Sequence, residues 1–360
     1  MAKFASRIKN RRLAKCPFCV PGKNRRHPRR ELIEKRIRDF CALGDYLQKA
    51  DSDASWRHVV ERTCAANGFF TPQNIQRAAA QWASLLNEQS LRSWLEPYAD
   101  RIPSEPKEIA IVMAGNIPLV GFHDYLCVLL CGYSAQVKLS SKDALLLPFL
   151  NGKMKSCAEV RFTQESVRNF DAIIATGSGN TFRYFDYYFG KYPHLLRKNR
   201  TSCAVLNGNE SPQELERLAD DVFAYFGLGC RNVSKIYLPQ GYDVKGLVAA
   251  FAPYTQELAA NNGYKNNYDY YKSIYLVNGK PHYDTGSALF TESEGMASPM
   301  SVVYYGYYKT KEEMQALLHA NRDQIQCVVG EGGLPFGSAQ QPGLSDWADG
   351  EDVLDFLVSL

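Results

Sequence analysis

The sequence predicts an α/β fold in which helices cover a parallel β-sheet. From residue 108 onward, short buried-strand runs alternate with apolar helical segments, the order that parallel sheets require. Two of these runs, "EIAIVMAGN" and "FDAIIATGS", lead into glycine-containing turns. The chain has 360 residues, of which 45% are apolar and 22% charged, so two domains with cores of their own are expected.

Helices are predicted ahead of the first strand. Residues 31–98 carry an apolar stripe near the 3.6-residue period, formed by Leu32, Ile33, Ile37, Phe40, Leu43 and Leu47. Thr71 suits a helix cap and Pro72 a first turn, which predicts that a further helix begins there.

Strands and helices then alternate. The predicted strands lie in "EIAIVMAGN", "AQVKLS", "FDAIIATGS", "SCAVLNG" and "SKIYLP". The predicted helices lie in "PLVGFHDYLCVLLCG", "ALLLPFL", "NTFRYFDYYFGKY" and "SPQELERLADDVFAYFG". Ser211, followed three residues later by Glu214, predicts a capping box at the start of the last of these helices.

The first 30 residues form a basic tail. They hold 11 Lys and Arg residues and no acid, so the tail accounts for the net charge of +4. Repulsion between like charges and a lack of apolar residues predict disorder, and no nucleic-acid partner is expected. The tail's "CPFC" stands without a second CxxC or paired histidines, so no metal site is predicted.

The compartment is inferred from the ten cysteines and from the absence of export signals. The first residues lack an apolar h-region, and no run of about 18 apolar residues occurs, so no membrane span is expected. A chain of this size needs no disulfides, so the scattered cysteines are interpreted as reduced thiols of a cytoplasmic protein.

Two features raise a question of chemistry. No GxGxxG follows the first strand, but "ATGSGN" offers backbone amides that suit a phosphate or form an ordinary turn. Cys230, between Gly229 and Arg231 ahead of "SKIYLP", is either a small buried hydrophobe or a nucleophile. The residues alone leave both alternatives open.

Four stretches in order carry a resemblance to a known family. "AGNIPLVGFHDYLCVLLCGYSAQVKLSS", "ATGSGN", "GLGCRNVSKIYLP" and "PFGSAQQPG" resemble the Asn-x-Pro, Gly-Ser, GQxC and PFGGxKxSG segments of the aldehyde dehydrogenase superfamily. "KLSSKD", "RKNRTSCAVL" and "DWADGEDVLDFL" are similar to its LuxC-like acyl-CoA reductase branch. The resemblance runs from about residue 31 to the end and leaves out the basic tail.

This resemblance implies an aldehyde dehydrogenase-like α/β fold with two Rossmann-like three-layer domains. It also implies NADPH-dependent reduction of a long-chain acyl-CoA to the aldehyde through a cysteine thioester. The expected regions are a tail at 1–30, a cofactor-binding domain with N-terminal helices at 31–200, a catalytic domain at 201–330 and a C-terminal segment packing back on the body at 331–360.

The resemblance assigns catalysis to Cys230 and Asn116. Cys230 would be the nucleophile, with a pKa lowered by a helix N-terminus or by a cation such as Arg231. Asn116 would donate to the oxyanion together with the backbone N–H of Cys230. The alternative for Asn116 is a purely structural role in the Gly-Asn-x-Pro turn.

The resemblance places the cofactor near the end of "QVKLSS". Lys138 would contact the ribose, with Ser140 and Ser141 beside it. Ser141 stands where relatives often carry a Glu that binds the 2′-hydroxyl of NAD, and Lys142 follows. A 2′-phosphate would meet no carboxylate at that point and would find a cation nearby, so NADPH is favoured over NADH.

Gly177 and Ser178, in the Gly-Ser turn, would lie beside the cofactor phosphates or nicotinamide, or would only form the turn. His123 and His194 match no catalytic position of the family. The Tyr- and Asn-rich run "NNGYKNNYDYYKSIYL" would shape the acyl pocket or serve packing and turns.

"RKNR" departs from the family pattern. Arg197 stands where hydrolytic relatives have the Glu of "ELGG", and an acyl-thioester reductase should lack a general base for water. With Lys198 and Arg200 it would attract CoA phosphates or form a solvated surface loop.

Two other functions remain open on the sequence. One is reduction of acyl-ACP or another activated acyl donor. The other is a non-catalytic acyl- or nucleotide-binding subunit of a reductase complex. A homo-oligomer is also compatible with the sequence.

Overall fold

The computed structural model describes residues 28–103, 105–155, 160–177 and 179–360. The basic tail with its "CPFC" motif and the predicted cofactor residue Ser178 lie outside these ranges. The described residues form two β-sheets flanked by helices, which confirms the predicted α/β class. Among them, no helix is both long and apolar enough to cross a bilayer.

The α-helices are α1 (Pro28–Leu47), α2 (Ala54–Ala66), α3 (Pro72–Leu85), α4 (Glu88–Leu95), α5 (Phe122–Leu130), α6 (Leu146–Asn151), α7 (Gly179–Phe189), α8 (Pro212–Phe223), α9 (Val244–Phe251), α10 (Thr255–Ala260), α11 (Asn262–Val277), α12 (Lys311–Ala320) and α13 (Val353–Val358). The strands are β1 (Glu108–Val112), β2 (Ser134–Lys138), β3 (Val160–Thr163), β4 (Ala172–Thr176), β5 (His194–Arg197), β6 (Thr201–Val205), β7 (Val233–Pro239), β8 (Tyr283–Asp284), β9 (Leu289–Glu292), β10 (Val302–Tyr308) and β11 (Ile325–Gly330).

The first sheet has the order β3-β2-β1-β4-β5, and all its strands are parallel. Side chains of β1 alternate between two cores because successive residues of a strand point to opposite faces. Ile109 and Ile111 belong to the core shared with α1 and α5, whereas Ala110 and Val112 face Phe185 and Phe189 of α7. Helices on both faces give the predicted three layers.

The second sheet has the order β11-β6-β7-β10-β9-β8, in which only the short β8 is antiparallel. Ala204 of β6 faces the core that includes α8 and α9, and its neighbours Cys203 and Val205 face Met314 of α12. This is again a three-layer, Rossmann-like arrangement, as the sequence predicts.

Local signals read from the sequence are present in the structure. Ser211 and Glu214 form the predicted capping box at α8, with the Ser211 amide donating to Glu214 Oε2 at 2.8 Å. Thr71 caps α3, and Pro72 occupies its first turn. Both caps satisfy amides that a helix start leaves without partners.

Helix α13 completes the core of the first sheet. Leu354 and Leu357 are fully buried in the same cluster as α5, and the Tyr133 hydroxyl donates to Leu357 O at 3.1 Å. The C-terminal segment therefore contributes to a core whose strands end about 150 residues earlier in the chain.

Candidate active site

The carboxyl ends of β1 and β4 mark the switch point of the first sheet. The chain continues from β1 to β2 on one side and from β4 to β5 on the other. In open α/β sheets, ligands bind in the crevice that this reversal leaves. Residues 113–116 follow β1, and Gly177 follows β4, so both stretches lie at that crevice.

Gly115 lets the loop after β1 touch the loop after β2. A Cβ added at Gly115 would lie 2.5 Å from Ser140 Oγ, far inside van der Waals contact. A side chain at position 115 would therefore force the two loops apart. The glycine of "AGN" brings Ser140 and Asn116 onto neighbouring pieces of backbone.

Asn116 connects the first sheet to the loop that carries Cys230. Its Nδ2 donates to Leu228 O at 2.6 Å, two residues before Cys230. Only the N–H end of the amide can donate to a carbonyl, so the orientation of the side chain is fixed. Its Oδ1 is buried without a partner among the described residues, and the second Nδ2 proton remains for another acceptor.

The side-chain amide of Asn232 links the Cys230 loop to the end of α8. Asn232 Oδ1 accepts from the Gly229 amide at 2.8 Å, while Nδ2 donates to carbonyls at the end of α8, those of Asp221, Val222 and Ala224. Ser202 Oγ donates to the Cys230 carbonyl at 3.1 Å. The loop is thus ordered by the protein itself, a requirement for donors that must be placed in advance.

Backbone strain lies just before this loop. Tyr225 and Phe226 have φ values of 53° and 59°, in the left-handed region that side chains normally avoid. Both side chains are buried, so packing offsets a cost of order 1 kcal/mol for each residue. The two left-handed residues turn the chain from α8 into the Cys230 loop.

Cys230 lies on the wall of a cavity of about 160 Å³. The other walls come from α3, from residues 117–120 after β1 and from residues 340–348 near the C terminus. Most of the lining is apolar, including Trp82, Leu85, Ile117 and Val120. Cys230 is therefore half-buried and borders this cavity.

Burial raises the pKa of Cys230 to about 11. The guanidinium of Arg231 opposes the shift, whereas Asp349 and Cys327 add to it. The sequence-based expectation of a lowered pKa is therefore wrong. Its physical reason is that no helix begins at this loop, since strand β7 follows, and one cation does not outweigh desolvation.

The late "PFGSAQQPG" loop forms the C-terminal wall and is fixed by two charged side chains. Asp221 accepts from the amides of Gly337 and Ala339 at 2.7 and 2.9 Å, and Arg231 Nε donates to Ala339 O. Burial raises the pKa of Asp221 to about 6. Gln340, on the cavity wall, has a buried Nε2 that finds no acceptor among the described residues.

Arg197 forms a buried ion pair with Asp124 of α5, at 2.7 Å. Side-chain exposure is 4% for Arg197 and 7% for Asp124. Neither sequence-based alternative, a CoA-attracting surface cluster or a solvated loop, is correct for this residue. Its neighbour Lys198 is exposed, and Arg200 Nε lies 3.5 Å from Asp349 Oδ1.

The predicted cofactor residues lie along the carboxyl edge of the first sheet. Lys138 ends β2, and its Nζ donates to Gln164 O at 2.7 Å, which fixes the ammonium beside the loop after β3. Ser140 is half-buried, whereas Ser141 is exposed. Hydroxyl and ammonium groups can donate hydrogen bonds to ribose and phosphate oxygens, so these residues are of a type that suits a dinucleotide.

Gly177 contributes a backbone position at the same edge. Its amide lies 3.4 Å from Arg197 O, at the end of the β4–β5 pairing. Gly177 and Lys138 lie on opposite sides of β1, because β1 separates β2 from β4. The candidate cofactor residues therefore flank the switch point.

Sequence reasoning missed the contribution of α3 to the cavity. Ala78, Trp82 and Leu85 are spaced by four and three residues, so they lie on one face of the helix. The same pattern is read from sequence as an ordinary core stripe, and nothing local distinguishes the two. The Tyr- and Asn-rich run predicted to shape the acyl pocket is α11, which contributes no residue to this cavity.

The two histidines differ. His123 lines the cavity, its Nε2 donates to Leu344 O at 2.9 Å, and its ring lies among those of Trp82, Trp94 and Trp347. Burial lowers its pKa, so the ring is neutral at physiological pH. His194 is exposed and is not part of the cavity wall.

Known proteins resemble this chain in structure but not in sequence. No family model matches it, and no curated protein matches it. Aldehyde dehydrogenase 21 from Physcomitrella patens superimposes with a TM-score of 0.62 at 10% identity, covering 91% of this chain and 84% of that one. Aldehyde dehydrogenase C from Pseudomonas syringae gives 0.61 at 12% identity, with coverages of 84% and 73%.

An NADP-dependent glyceraldehyde-3-phosphate dehydrogenase from Bacillus halodurans is also similar in structure, with a TM-score of 0.56 at 12% identity. At identities this low, structural similarity shows the fold alone. The activity has to be inferred from the residues of the site. The chain therefore has an aldehyde dehydrogenase-like fold, as its motifs predict.

Proposed function

We propose that this chain is an acyl-thioester reductase of the LuxC-like kind. It would convert acyl-CoA to an aldehyde, with Cys230 as nucleophile and NADPH as reductant. One observation carries the proposal: Cys230 borders an apolar cavity, and Asn116, in the loop after β1, donates to the carbonyl of Leu228, two residues before Cys230. The proposed nucleophile borders an apolar space, and the proposed oxyanion donor is hydrogen-bonded to the same loop, which supports the proposal.

The first step transfers the acyl group to the protein. The sulfur of Cys230 attacks the thioester carbonyl carbon, the bond from that carbon to the CoA sulfur breaks, and the thiol proton leaves with CoA. Negative charge develops on the carbonyl oxygen. The proposed donors to it are the second Nδ2 proton of Asn116, the backbone N–H of Cys230 and Nε2 of Gln340, which has no acceptor among the described residues.

The second step releases the aldehyde. When bound, NADPH would supply a hydride to the acyl carbon. The same donors then stabilise the oxygen a second time, the carbon–sulfur bond breaks, and Cys230 recovers a proton from solvent. The overall reaction consumes one NADPH and one proton for each thioester and yields one aldehyde and one CoA thiol.

Arg197 supports reduction over hydrolysis. In hydrolytic relatives a Glu at this position activates water, whereas Arg197 is a cation already paired with Asp124 at 2.7 Å. A guanidinium cannot accept a proton from water. The enzyme thioester would therefore persist until it is reduced.

The residues proposed to hold NADPH are Lys138, Ser140 and Ser141 on one side of the switch point, and Gly177 and Ser178 on the other. Ser141 is exposed, and so is Lys142 beside it. Position 141 carries no carboxylate, and the ammonium of Lys142 is the cation beside it. This combination favours binding of the 2′-phosphate of NADPH over the 2′-hydroxyl of NADH. We also propose that the protein acts in the cytoplasm.

The test supplies purified protein with NADPH and either acyl-CoA or acyl-ACP, and follows nicotinamide absorbance, free thiol and the intact protein mass. We expect acyl-dependent NADPH oxidation and a Cys230 adduct that accumulates when NADPH is omitted. If the protein prefers acyl-ACP, then acyl-ACP replaces acyl-CoA as the proposed acyl donor. Activity that appears only with added partner proteins would indicate a subunit of a complex. A folded enzyme that forms no adduct and oxidises no NADPH with any donor would refute the proposal.

A further inference from the structure

The cavity beside Cys230 is small, partly open to solvent and bounded in part by closely packed side chains. Its volume is about 160 Å³. Trp82 packs against Phe122 with ring centroids 4.6 Å apart, and Ala78 is 7% exposed within α3. Pro118 and Pro342 stiffen two of the other walls. A wall of this kind does not yield easily, because packed interiors rearrange at a cost.

The volume sets the size of the group that fits. An apolar protein cavity of about 150 Å³ accommodates a benzene molecule, which has six carbons. The space beside Cys230 therefore matches an apolar group of about four to eight carbons. A long fatty acyl chain exceeds it and would leave methylenes in water or push the wall apart.

We infer that the site selects short- to medium-chain acyl groups, of about four to eight carbons, rather than the long chains that the sequence resemblance implies. This inference rests on the proposed function, since it names the acyl group that Cys230 accepts. Leu85, half-buried at the end of α3, and Val120, half-buried in the loop after β1, are the side chains that set the limit.

The first experiment compares kcat/KM for acetyl-, butyryl-, hexanoyl-, octanoyl-, dodecanoyl- and hexadecanoyl-CoA. We expect a maximum at hexanoyl- or octanoyl-CoA and a loss of at least about tenfold by dodecanoyl-CoA, because single methylenes in a hydrophobic pocket change rates by such factors. Activity that rises steadily to hexadecanoyl-CoA would overturn the inference while leaving the proposed function intact.

Two substitutions change the cavity in opposite directions. Leu85→Ala enlarges it and should move the optimum to longer chains, whereas Val120→Phe should move it to shorter ones. Ser84→Ala, an exposed neighbour on α3 outside the cavity wall, is the matched control and should leave the optimum unchanged. If both cavity variants melt like the wild type and keep its optimum, these walls do not set the size limit.

A binding measurement tests the size limit without turnover. Hexanamide and dodecanamide are compared as protectors of Cys230 against alkylation by iodoacetamide, read by peptide mass spectrometry at mildly alkaline pH. We expect hexanamide to protect at lower concentration than dodecanamide. Better protection by dodecanamide would contradict the size limit. The result holds even if no acyl donor is reduced, so failure of the inference and failure of the proposed function are distinguishable.

Discussion

The loop that carries Cys230 and the loop that follows β2 both border the Gly115–Asn116 turn, but they are held in different ways. The first is fixed by Asn232, Ser202 and Asn116 through hydrogen bonds to its backbone. The second leaves Ser141 exposed to solvent. The Cys230 loop is thus held by several side chains, whereas the loop after β2 keeps a polar side chain in contact with solvent.

This difference predicts where substitutions will act. Changes to the Cys230 loop and its side-chain partners should reduce catalysis at any cofactor concentration. Changes in the loop after β2, the proposed cofactor side, should alter which nucleotide binds and how tightly. Removal of the sulfur should have the largest effect on turnover.

We expect Cys230→Ala to lower acyl-CoA reduction by at least about a thousandfold, since the variant lacks the sulfur that is proposed to form the thioester. Steady-state NADPH oxidation and the mass of the acyl adduct measure this loss. Cys41→Ser, on α1 away from the cavity, is the matched control and should keep both signals. Adduct formation that survives in the Cys230 variant would assign the nucleophile to another residue.

Asn116→Ala should lower kcat about a hundredfold to a thousandfold, because it removes a donor to the developing oxyanion. The matched control is Asn321→Ala. Asn321 Nδ2 also donates to a backbone carbonyl, that of Leu317 at 2.9 Å, but far from the site. Thermal melting of both variants separates loss of the donor from loosening of the loop. If the Cys230 adduct forms at the wild-type rate in Asn116→Ala, then Asn116 is not an oxyanion donor and has only a structural role in the Gly-Asn-x-Pro turn.

Ser141→Glu tests the cofactor side and should change nucleotide preference toward NADH by about tenfold, because a carboxylate repels a 2′-phosphate near the protein surface. The ratio of kcat/KM for NADPH and NADH measures the change. Ser141→Gln, of similar size but uncharged, should change this ratio much less. Equal effects of the two substitutions would mean that size, not charge, acts at this position.

Asp143→Asn should affect stability rather than turnover. Burial raises the pKa of Asp143 to about 6 from an ordinary value of 3.8, and one of its oxygens has no partner among the described residues. The folded state holds the proton more tightly, so this contribution to stability is complete below about pH 4 and is lost as the pH rises through 6.

The amide of asparagine does not ionise, so the Asp143→Asn variant does not lose this stability as the pH rises. We expect Asp143→Asn to be more stable than the wild type by about 1–3 kcal/mol well above pH 6, and close to it near pH 4, in urea unfolding. The exposed Asp45→Asn is the control and should follow the wild type at both pH values. A variant that loses stability above pH 6 would show that the carboxylate itself is needed at position 143.

The central strands of the first sheet could be predicted from the sequence, whereas its edge strands could not. "EIAIV" and "AIIAT" are apolar on both faces because helices cover both sides of the sheet. β3 and β5 are short and carry Arg161 and His194, so their sequences give little strand signal. α11 gives little helix signal because Tyr and Asn are poor helix formers, although Asn261 caps its start by accepting from the Tyr264 amide at 3.0 Å.

For the site, the sequence identified the meeting of Asn116 with the Cys230 loop, since motif order carries that information. It missed the raised pKa of Cys230 and the Arg197–Asp124 pair, because both depend on which groups the fold buries together. Asp124 lies 73 residues from Arg197, and no local pattern announces their contact.

The position of α13 bears on the order of events during synthesis. A ribosome that has finished both sheets has not yet released Leu354 and Leu357, which fill the core beside α5. The apolar surface beside α5 therefore stays uncovered until α13 has been synthesised, and exposed apolar surface of this kind promotes aggregation and chaperone binding. A chain truncated just before Val353 would leave that surface uncovered permanently.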